Sequence, residues 1–324
     1  MRLFDVTRRV PMRVVAPGSV ALDSARERAL DAFLWEHRAR VDAIGERISS
    51  MVAQRSLARG DAVDALALEL LREHRRSCLR DPSLRAAAAI DAVVRTHRSE
   101  IMDQPWVPAW MRRLEMRTLD RVNVEIGSYA AWARAIERAT HRTSVNSLMD
   151  LAAGSAGFFR YLAREGVARR NGWSLVATDI ERTYVEQGSL ACAREGSSDV
   201  LRCEVRSAVE LEALRGSVDL FVCTQALHHM PPGLVLRVIA GAIRSAPQGI
   251  VLIDLARGAA LAAMTGVVLS AVARVPFVVF DGVRSVRRAY LPTELALLAR
   301  LAGSTFVEAR WDAPAHHVVH AALR

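Results

Sequence analysis

Leu148-Met149-Asp150-Leu151-Ala152-Ala153-Gly154-Ser155-Ala156-Gly157 is the stretch on which the reading of this chain turns. An apolar run ends near an aspartate, passes through a turn of small residues, and meets a helical pattern at about Phe158. Gly154 and Gly157 let the backbone pass close to a ligand, because no Cβ stands in the way. In doubly wound sheets, ligands lie beyond the carboxyl ends of the strands, beside such a turn. The competing reading of the same residues is a plain tight strand–helix turn.

Working outward, short apolar runs alternate with helical stretches from Asn146 onward. The strand candidates are 147–151, 175–179, 200–205, 218–223, 250–254, 305–311 and 317–322. Helical patterns separate the first five, which indicates a parallel, doubly wound α/β sheet. The last two lie close together and read as a terminal hairpin. Upstream, only helical periodicity appears. Leu30, Leu34, Val41, Ile44, Ile48 and Met51 recur in steps of three and four, with His37 on the same seam, and predict one continuous helix. That stripe suits either an intramolecular core or a homodimer seam. Asp61 can cap a second helix, and Asp81-Pro82 reads as the N-cap and first residue of a third. Two more helices are expected near 108–122 and 129–140.

The second strand candidate ends in Asp179. A carboxylate there can accept both hydroxyls of a ribose, so a Gly-rich turn with Asp179 points to an adenosine-containing ligand. Dinucleotides and S-adenosylmethionine compete for that site. The dinucleotide fingerprint is G-x-G-x-x-G, whereas this chain reads A-x-G-x-x-G with Ala152 in the first position.

The order of the later features resembles class I S-adenosylmethionine-dependent methyltransferases, in particular a bacterial small-molecule branch. Asp150-Leu-Ala-Ala-Gly154-Ser-Ala-Gly157 is similar to their first motif, and Thr178-Asp179-Ile180 to their second-strand acidic motif. Val218-Asp219-Leu220 through Ala226-Leu227-His228-His229-Met230-Pro231 resembles their fourth-strand motif, and Ile250 to Asp254 their fifth strand. Arg287-Arg288-Ala-Tyr290-Leu-Pro292-Thr-Glu294 is similar to the segment before their final hairpin. The resemblance covers about residues 98–324. It implies a Rossmann-like, seven-stranded sheet whose last two strands form a hairpin, preceded by an all-helical N-terminal extension. The implied units are a helical extension over 1–97, a helical lead-in over 98–145 and a cofactor-binding domain over 146–324.

By the same resemblance the cofactor is S-adenosyl-L-methionine, with S-adenosyl-L-homocysteine as product. Asp150, Ala152, Gly154, Ser155, Gly157, Asp179, Ile180, Ser207 and Thr224 would contact it. Ala152 stands where the family has its first glycine, and Ser207 where it often has an adenine-contacting aspartate. Methyl transfer is an in-line displacement, and an alcohol acceptor must lose its proton as it attacks, so a base near the methyl group is useful. His228 and His229 are the base candidates, because histidine titrates near neutrality, with Asp254 to orient an imidazole. The competing role for either histidine is packing under the sheet edge. Asp103, Tyr129, Arg287, Arg288 and Tyr290 are weighed as closing groups against surface or capping roles, and His316 and His317 as structural. The apolar segment 255–280 reads as a lid over the acceptor, as a buried helix, or as a membrane-surface helix flanked by Arg257 and Arg274.

Composition narrows the partners. The chain has 324 residues, 51% of them hydrophobic and 24% charged, which excludes wholesale disorder. It carries a net charge of +9 with no lysine, and the excess arginine is spread over its whole length. No arginine block interleaves with aromatics, so nucleic acid is an unfavoured partner. Cys78, Cys192, Cys203 and Cys223 form no C-x-x-C and have no histidine at metal spacing, which suggests reduced thiols, a cytoplasmic protein and no metal. No apolar run is long enough to span a membrane, and the first residues lack a signal-peptide core. The expected activity is methyl transfer, at oxygen, to a small, largely apolar or aromatic metabolite of bacterial specialised metabolism. An RNA methyltransferase using its Arg-rich helices and a non-catalytic interaction module are the alternatives.

Overall fold

A computed structural model describes residues 20–53, 60–141, 143–312 and 315–323. The sheet follows from strand composition. β1 (Ser147–Leu151), β2 (Ser174–Asp179), β4 (Leu220–Thr224) and β5 (Ile250–Leu255) are almost continuously buried, and β3 (Leu201–Val205) closes one edge. Near-continuous apolar strands of this kind are covered on both faces. β6 (Phe306–Asp312) and β7 (His316–Ala322) form the antiparallel hairpin. The order is β3-β2-β1-β4-β5-β7-β6, with β1 to β5 parallel and β7 antiparallel to β5. This is the expected seven-stranded, Rossmann-like sheet with a terminal hairpin.

Because successive strand residues point to opposite faces, the sheet splits its apolar side chains between two cores. Met149, Leu151, Phe221, Cys223, Ile250 and Leu252 enter one core, and Leu148, Leu220, Val222, Val251 and Ile253 the other. The first core is completed by α1 (Val20–Glu36), α2 (Arg38–Ala53), α3 (Gly60–Arg80), α10 (Pro232–Ser245) and α13 (Pro292–Leu301). The second is completed by α6 (Ser128–Thr140), α7 (Gly157–Arg164), α8 (Val167–Asn171) and α9 (Arg182–Glu195). α4 (Arg85–Val94), α5 (Ala109–Glu125) and the hairpin of α11 (Ala259–Val272) and α12 (Pro276–Arg288) gather near the carboxyl ends of the strands.

Two sequence expectations change in the N-terminal half. The predicted long helix breaks at His37, whose Nδ1 donates to the Phe33 carbonyl at 3.1 Å while its ring stacks on Phe33. Asp81 does not cap a helix there: α3 runs to Arg80, and Asp81 Oδ1 instead accepts the Ser83 N–H in a local turn before α4 begins at Arg85. The Asp61 side chain, at the start of α3 (Gly60–Arg80), lies outside the residues whose side chains are described. The apolar stripe of α1 and α2 is spent inside the chain, since Leu30, Val41, Ile44 and Ile48 are buried in the first core; Met51 lies outside the residues whose side chains are described.

The segment 255–280 is neither a buried helix nor one flanked by two free arginines. In α11 only Leu269 is buried, and Val267 is 71% exposed. Arg257 is buried, with its guanidinium on Asp91 (2.6 Å), on Glu294 (3.1 Å) and on the Ala289 carbonyl. Arg75 adds a second cation to Glu294 at 2.6 Å, and the Leu291 N–H donates to the same carboxylate at 3.0 Å. Burial disfavours the Glu294 charge, but Arg257 and Arg75 hold its carboxyl well below the usual range. This network ties α3, α4 and β5 to the start of α13. Among the described residues no helix is long and apolar enough to cross a membrane, and the four cysteines are free.

His74 on α3 is 2% exposed, and burial pulls its imidazole down to about 4. The folded chain therefore keeps His74 neutral where the unfolded chain would protonate it, and stability is lost as pH falls from 6.5 towards 4. At about 1.4 kcal/mol per pH unit, the penalty reaches up to ~3 kcal/mol. His74→Gln should lose this part of the acid slope: the stability of variant relative to parent, followed by urea unfolding, should improve steadily between pH 7 and pH 4. A difference that stays constant with pH would show that His74 takes up its proton equally in the folded and unfolded chains.

Candidate functional site

The turn after β1 is held by backbone geometry that few residues tolerate. Ala152, Gly154 and Ala156 all adopt left-handed φ values, of 54°, 54° and 60°. The Ala153 N–H donates to the Thr178 carbonyl at 2.9 Å, and the Gly154 N–H to Asp179 Oδ2 at 2.8 Å. Asp179 Oδ1 accepts the Glu181 N–H at 2.9 Å. Burial raises the Asp179 carboxyl against these hydrogen bonds. The neighbouring Ile180 is 75% exposed, an uncovered apolar side chain directly beside that carboxylate. The Arg206 N–H donates to the Asp179 carbonyl at 3.0 Å and so brings Ser207 alongside.

Asp150 lies under the turn, 1% exposed. Its Oδ2 accepts the Thr224 hydroxyl at 3.3 Å, and Oδ1 has no partner. Burial, with some contribution from the Asp179 charge, pushes its carboxyl well above the usual range. The structure thus brings Asp150, Ala152, Gly154, Ser155, Gly157, Asp179, Ile180, Ser207 and Thr224 to the carboxyl-end rim of β1, β2, β3 and β4.

α5 covers this turn. A Cβ on Gly154 would sit 3.0 Å from Met116 Sδ, and one on Gly157 would collide with the Asp120 carboxylate and lie 2.6 Å from the Tyr129 hydroxyl. Tyr129 donates to Asp120 Oδ1 at 2.7 Å, and Arg160 pairs with Asp120 Oδ2 at 3.4 Å. Tyr129 is therefore neither a surface nor a capping residue. Further along α5, Asn123 Nδ2 donates to Gln225 Oε1 at 3.0 Å, and the Gln225 amide meets His316 Nε2 at 2.9 Å. Gln225 takes φ 50°, an uncommon conformation for a residue with a Cβ. No sequence pattern marked Asn123 or Gln225. His316 and His317 are buried in β7, and burial holds them down at about 3 and 4 respectively.

Beyond β4 and β5 the histidine pair is fully tied. His228 is buried in a short 3-10 turn, Leu227–His229. Its Nδ1 donates to Asp254 Oδ1 at 2.7 Å and its backbone N–H to Asp254 Oδ2 at 2.9 Å. Asp254 is fully buried; burial opposes its charge, but His228 holds its carboxyl below the usual range. The His229 ring lies 4.3 Å from that of His228, and its Nδ1 donates to Asp103 Oδ1 at 3.0 Å. Arg288 donates to Asp103 Oδ2 at 2.8 Å, so both of these closing-group candidates meet the histidines. Tyr290 is buried and donates to the Met230 carbonyl at 2.7 Å, and Arg287 caps the Val94 carbonyl at 2.8 Å.

Glu100 completes the face and was not marked by the sequence. It is 4% exposed, 3.7 Å from Nε2 of each histidine, and accepts the Ser285 hydroxyl at 2.7 Å. Asp281 accepts the Ile101 and Met102 N–H groups close by, at 2.8 and 3.0 Å. Burial, reinforced by Asp281 and Glu100, lifts Glu115 to about 8, which leaves it a neutral acid at pH 7.

Residues 149–253 match the family described as a methyltransferase domain. Over this segment the chain is similar to methyltransferase domains. No curated protein sequence matches the chain. Among solved structures, the chain is similar to human N-acetylserotonin methyltransferase in complex with S-adenosylmethionine, at 15% identity, TM-score 0.49, and 77% and 69% coverage of the two chains. It is also similar to a protein assigned as an O-methyltransferase from Nostoc punctiforme, at 13% identity, TM-score 0.48, and 75% and 70% coverage. Similarity to a protein assigned as a sarcosine dimethylglycine methyltransferase from Galdieria sulphuraria reaches 24% identity and TM-score 0.32, but covers 38% of this chain and only 44% of that one.

The rim fits the cofactor by its own chemistry. A half-lined carboxylate at the end of β2, an uncovered apolar side chain beside it, and a buried orphan oxygen on Asp150 suit a ribose, an adenine face and a polar tail. Ala152 carries a cost that this fit does not require. A left-handed non-glycine residue costs roughly 1–2 kcal/mol, partly offset by the greater entropy that glycine loses on folding. Ala152→Gly should therefore raise stability by about 0.5–1 kcal/mol, measured by chemical denaturation; a loss of stability would show that the alanine methyl is packed rather than strained.

Proposed function

We propose that the chain methylates an oxygen of a small, largely apolar or aromatic metabolite of bacterial specialised metabolism. The observation that carries this reading is the buried Asp254–His228 pair beside the cofactor rim. Asp254 fixes the ring by holding the proton on Nδ1, which leaves Nε2 as the basic nitrogen. His228 Nε2 takes the acceptor hydroxyl's proton as the oxygen attacks. Bound S-adenosylmethionine supplies an electrophilic methyl group. Asp179 holds the ribose hydroxyls, Ile180 and Ser207 flank the adenine, and Asp150, Ala152, Gly154, Ser155 and Thr224 line the remainder, while Gly157 seats α5 through Asp120 and Tyr129. His229, held by Asp103, backs His228 and closes the acceptor side.

The apolar acceptor class is supported by the α11–α12 hairpin. Leu269 and Val278 anchor it against Val122 of α5, the helix that covers the Gly-rich turn, while Met264, Val267 and Phe280 remain exposed. The described helices of the N-terminal region, α1 to α4, serve this reading as support for the sheet. Any homodimer would use faces of them other than the buried stripe.

Two measurements test the reading separately. Asp179→Ala should weaken S-adenosylhomocysteine binding by about 1–3 kcal/mol in titration calorimetry, through loss of charged-acceptor hydrogen bonds. An unchanged affinity would remove Asp179 from the ribose. His228→Gln should leave that affinity intact and lower kcat by roughly 100- to 10,000-fold for an alcohol acceptor; full activity in the folded variant would rule out His228 as the base.

A further inference from the structure

Two imidazole nitrogens and one buried carboxylate face a common point beyond the ends of β4 and β5. Glu100, His228 and His229 each offer one donor atom, and these donors lie within 4.8 Å of one another. Each histidine Nε2 is 3.7 Å from a Glu100 oxygen, too far for a hydrogen bond. Bonds of roughly 2.0–2.1 Å to a central ion place neighbouring donors about 3.0–3.4 Å apart, so the two Glu100 contacts need to close by only a few tenths of an ångström and the three donors as a set must draw in from within 4.8 Å. The His229 side chain is 36% exposed.

The surroundings match a metal site more closely than a chance cluster. Metal-binding histidines donate their other ring N–H to a carboxylate, which fixes tautomer and orientation. Both do so here: His228 Nδ1 to Asp254 at 2.7 Å, and His229 Nδ1 to Asp103 at 3.0 Å. The carboxylate ligand is itself held, by the Ser285 hydroxyl at 2.7 Å. Asp103 is fixed in turn by Arg288 at 2.8 Å. Glu100, Asp103, Asp254 and Asp281 crowd one small volume, against the Arg288 guanidinium, 3.9 Å from Glu100. Two nitrogen donors favour a first-row transition ion over magnesium or calcium, which prefer all-oxygen shells.

We propose that Glu100, His228 and His229 form a binding site for a divalent transition-metal ion of the zinc class. Asp254 and Asp103 are its positioning residues. Three protein donors leave at least one coordination position open, and that position takes an oxygen donor: water, a hydroxyl or a carboxylate. The assignment stands on donor geometry and does not rest on the methyl-transfer reading. His228 Nε2 can hold the ion or accept a proton, one at a time.

The test is a titration of the chelator-treated full chain with Co2+, followed by its visible ligand-field band and by competition with Zn2+. One equivalent should produce a saturable band that Zn2+ abolishes, and Zn2+ should raise Tm. Glu100→Gln and His229→Ala should remove the band, and Asp103→Asn should weaken Co2+ binding by about 10- to 100-fold. His141→Ala, which changes an exposed histidine far from the cluster in the fold, should leave the band intact. Circular dichroism confirms folding; if Glu100→Gln loses its structure along with its Ser285 contact, His229→Ala and Asp103→Asn decide the matter. No saturable band, or one that survives His229→Ala and Asp103→Asn, overturns the proposal. S-adenosylhomocysteine calorimetry on the same protein reports the cofactor reading, and either result can fail without the other.

Discussion

A single buried carboxylate orders the candidate site. Asp254 sits at the end of β5 with no exposure, where an unpaired charge would be very costly. It is satisfied by three donors: the His228 N–H, His228 Nδ1 and the Leu255 N–H. Two of the three come from the residue that follows β4 by a short turn, so the pair locks the ends of two neighbouring strands together. Once Nδ1 is committed, Nε2 is the only free ring nitrogen of His228, and it faces Glu100. The His229 ring then lies tilted beside it and is pinned from the other side by Asp103 and Arg288. The orientation of the whole face follows from one desolvated charge.

The sheet was legible because its strands obey a simple rule. Buried parallel strands read as apolar runs, and those of β1, β2, β4 and β5 stand out against helical periodicity on either side. Their order alone sets His228 and Asp254 at the ends of neighbouring strands. The break at His37 was not legible, since the apolar spacing continues across it; what breaks there is the backbone, with the His37 ring turned back onto the Phe33 carbonyl. Asp81 misled for a related reason, because an aspartate that can cap a helix can equally close a local turn. Asp219, read as part of the fourth-strand motif, works at the opposite end of the sheet from the site. It accepts the Asn146 and Ser147 N–H groups at 2.8 and 2.9 Å, and so staples the start of β1 to β4.

Glu100, Asn123 and Gln225 escaped sequence reasoning because nothing local distinguishes them. Glu100 lies in an irregular segment and reaches the histidines only through the packing of α12, whose Ser285 and Asp281 hold that segment. Gln225 is distinguished by a positive φ, which residue type does not announce for glutamine. Both belong to contacts between segments far apart in the chain, and periodicity cannot carry such information.

The glycines of the first turn acquire a second meaning from α5. Their spacing was read as room for a ligand, yet the space over Gly157 is taken by Asp120 and Tyr129, and that beside Gly154 by Met116. Small residues at these positions let a covering helix approach the turn as closely as any bound molecule would. Asp179 shows the same doubling. Its carboxylate already holds the Gly154 and Glu181 N–H groups, each through one lone pair of a different oxygen, and each oxygen retains another. The group proposed to read a ribose is therefore also the group that fixes the turn, so the pocket's shape and its recognition of the sugar rest on the same two oxygens.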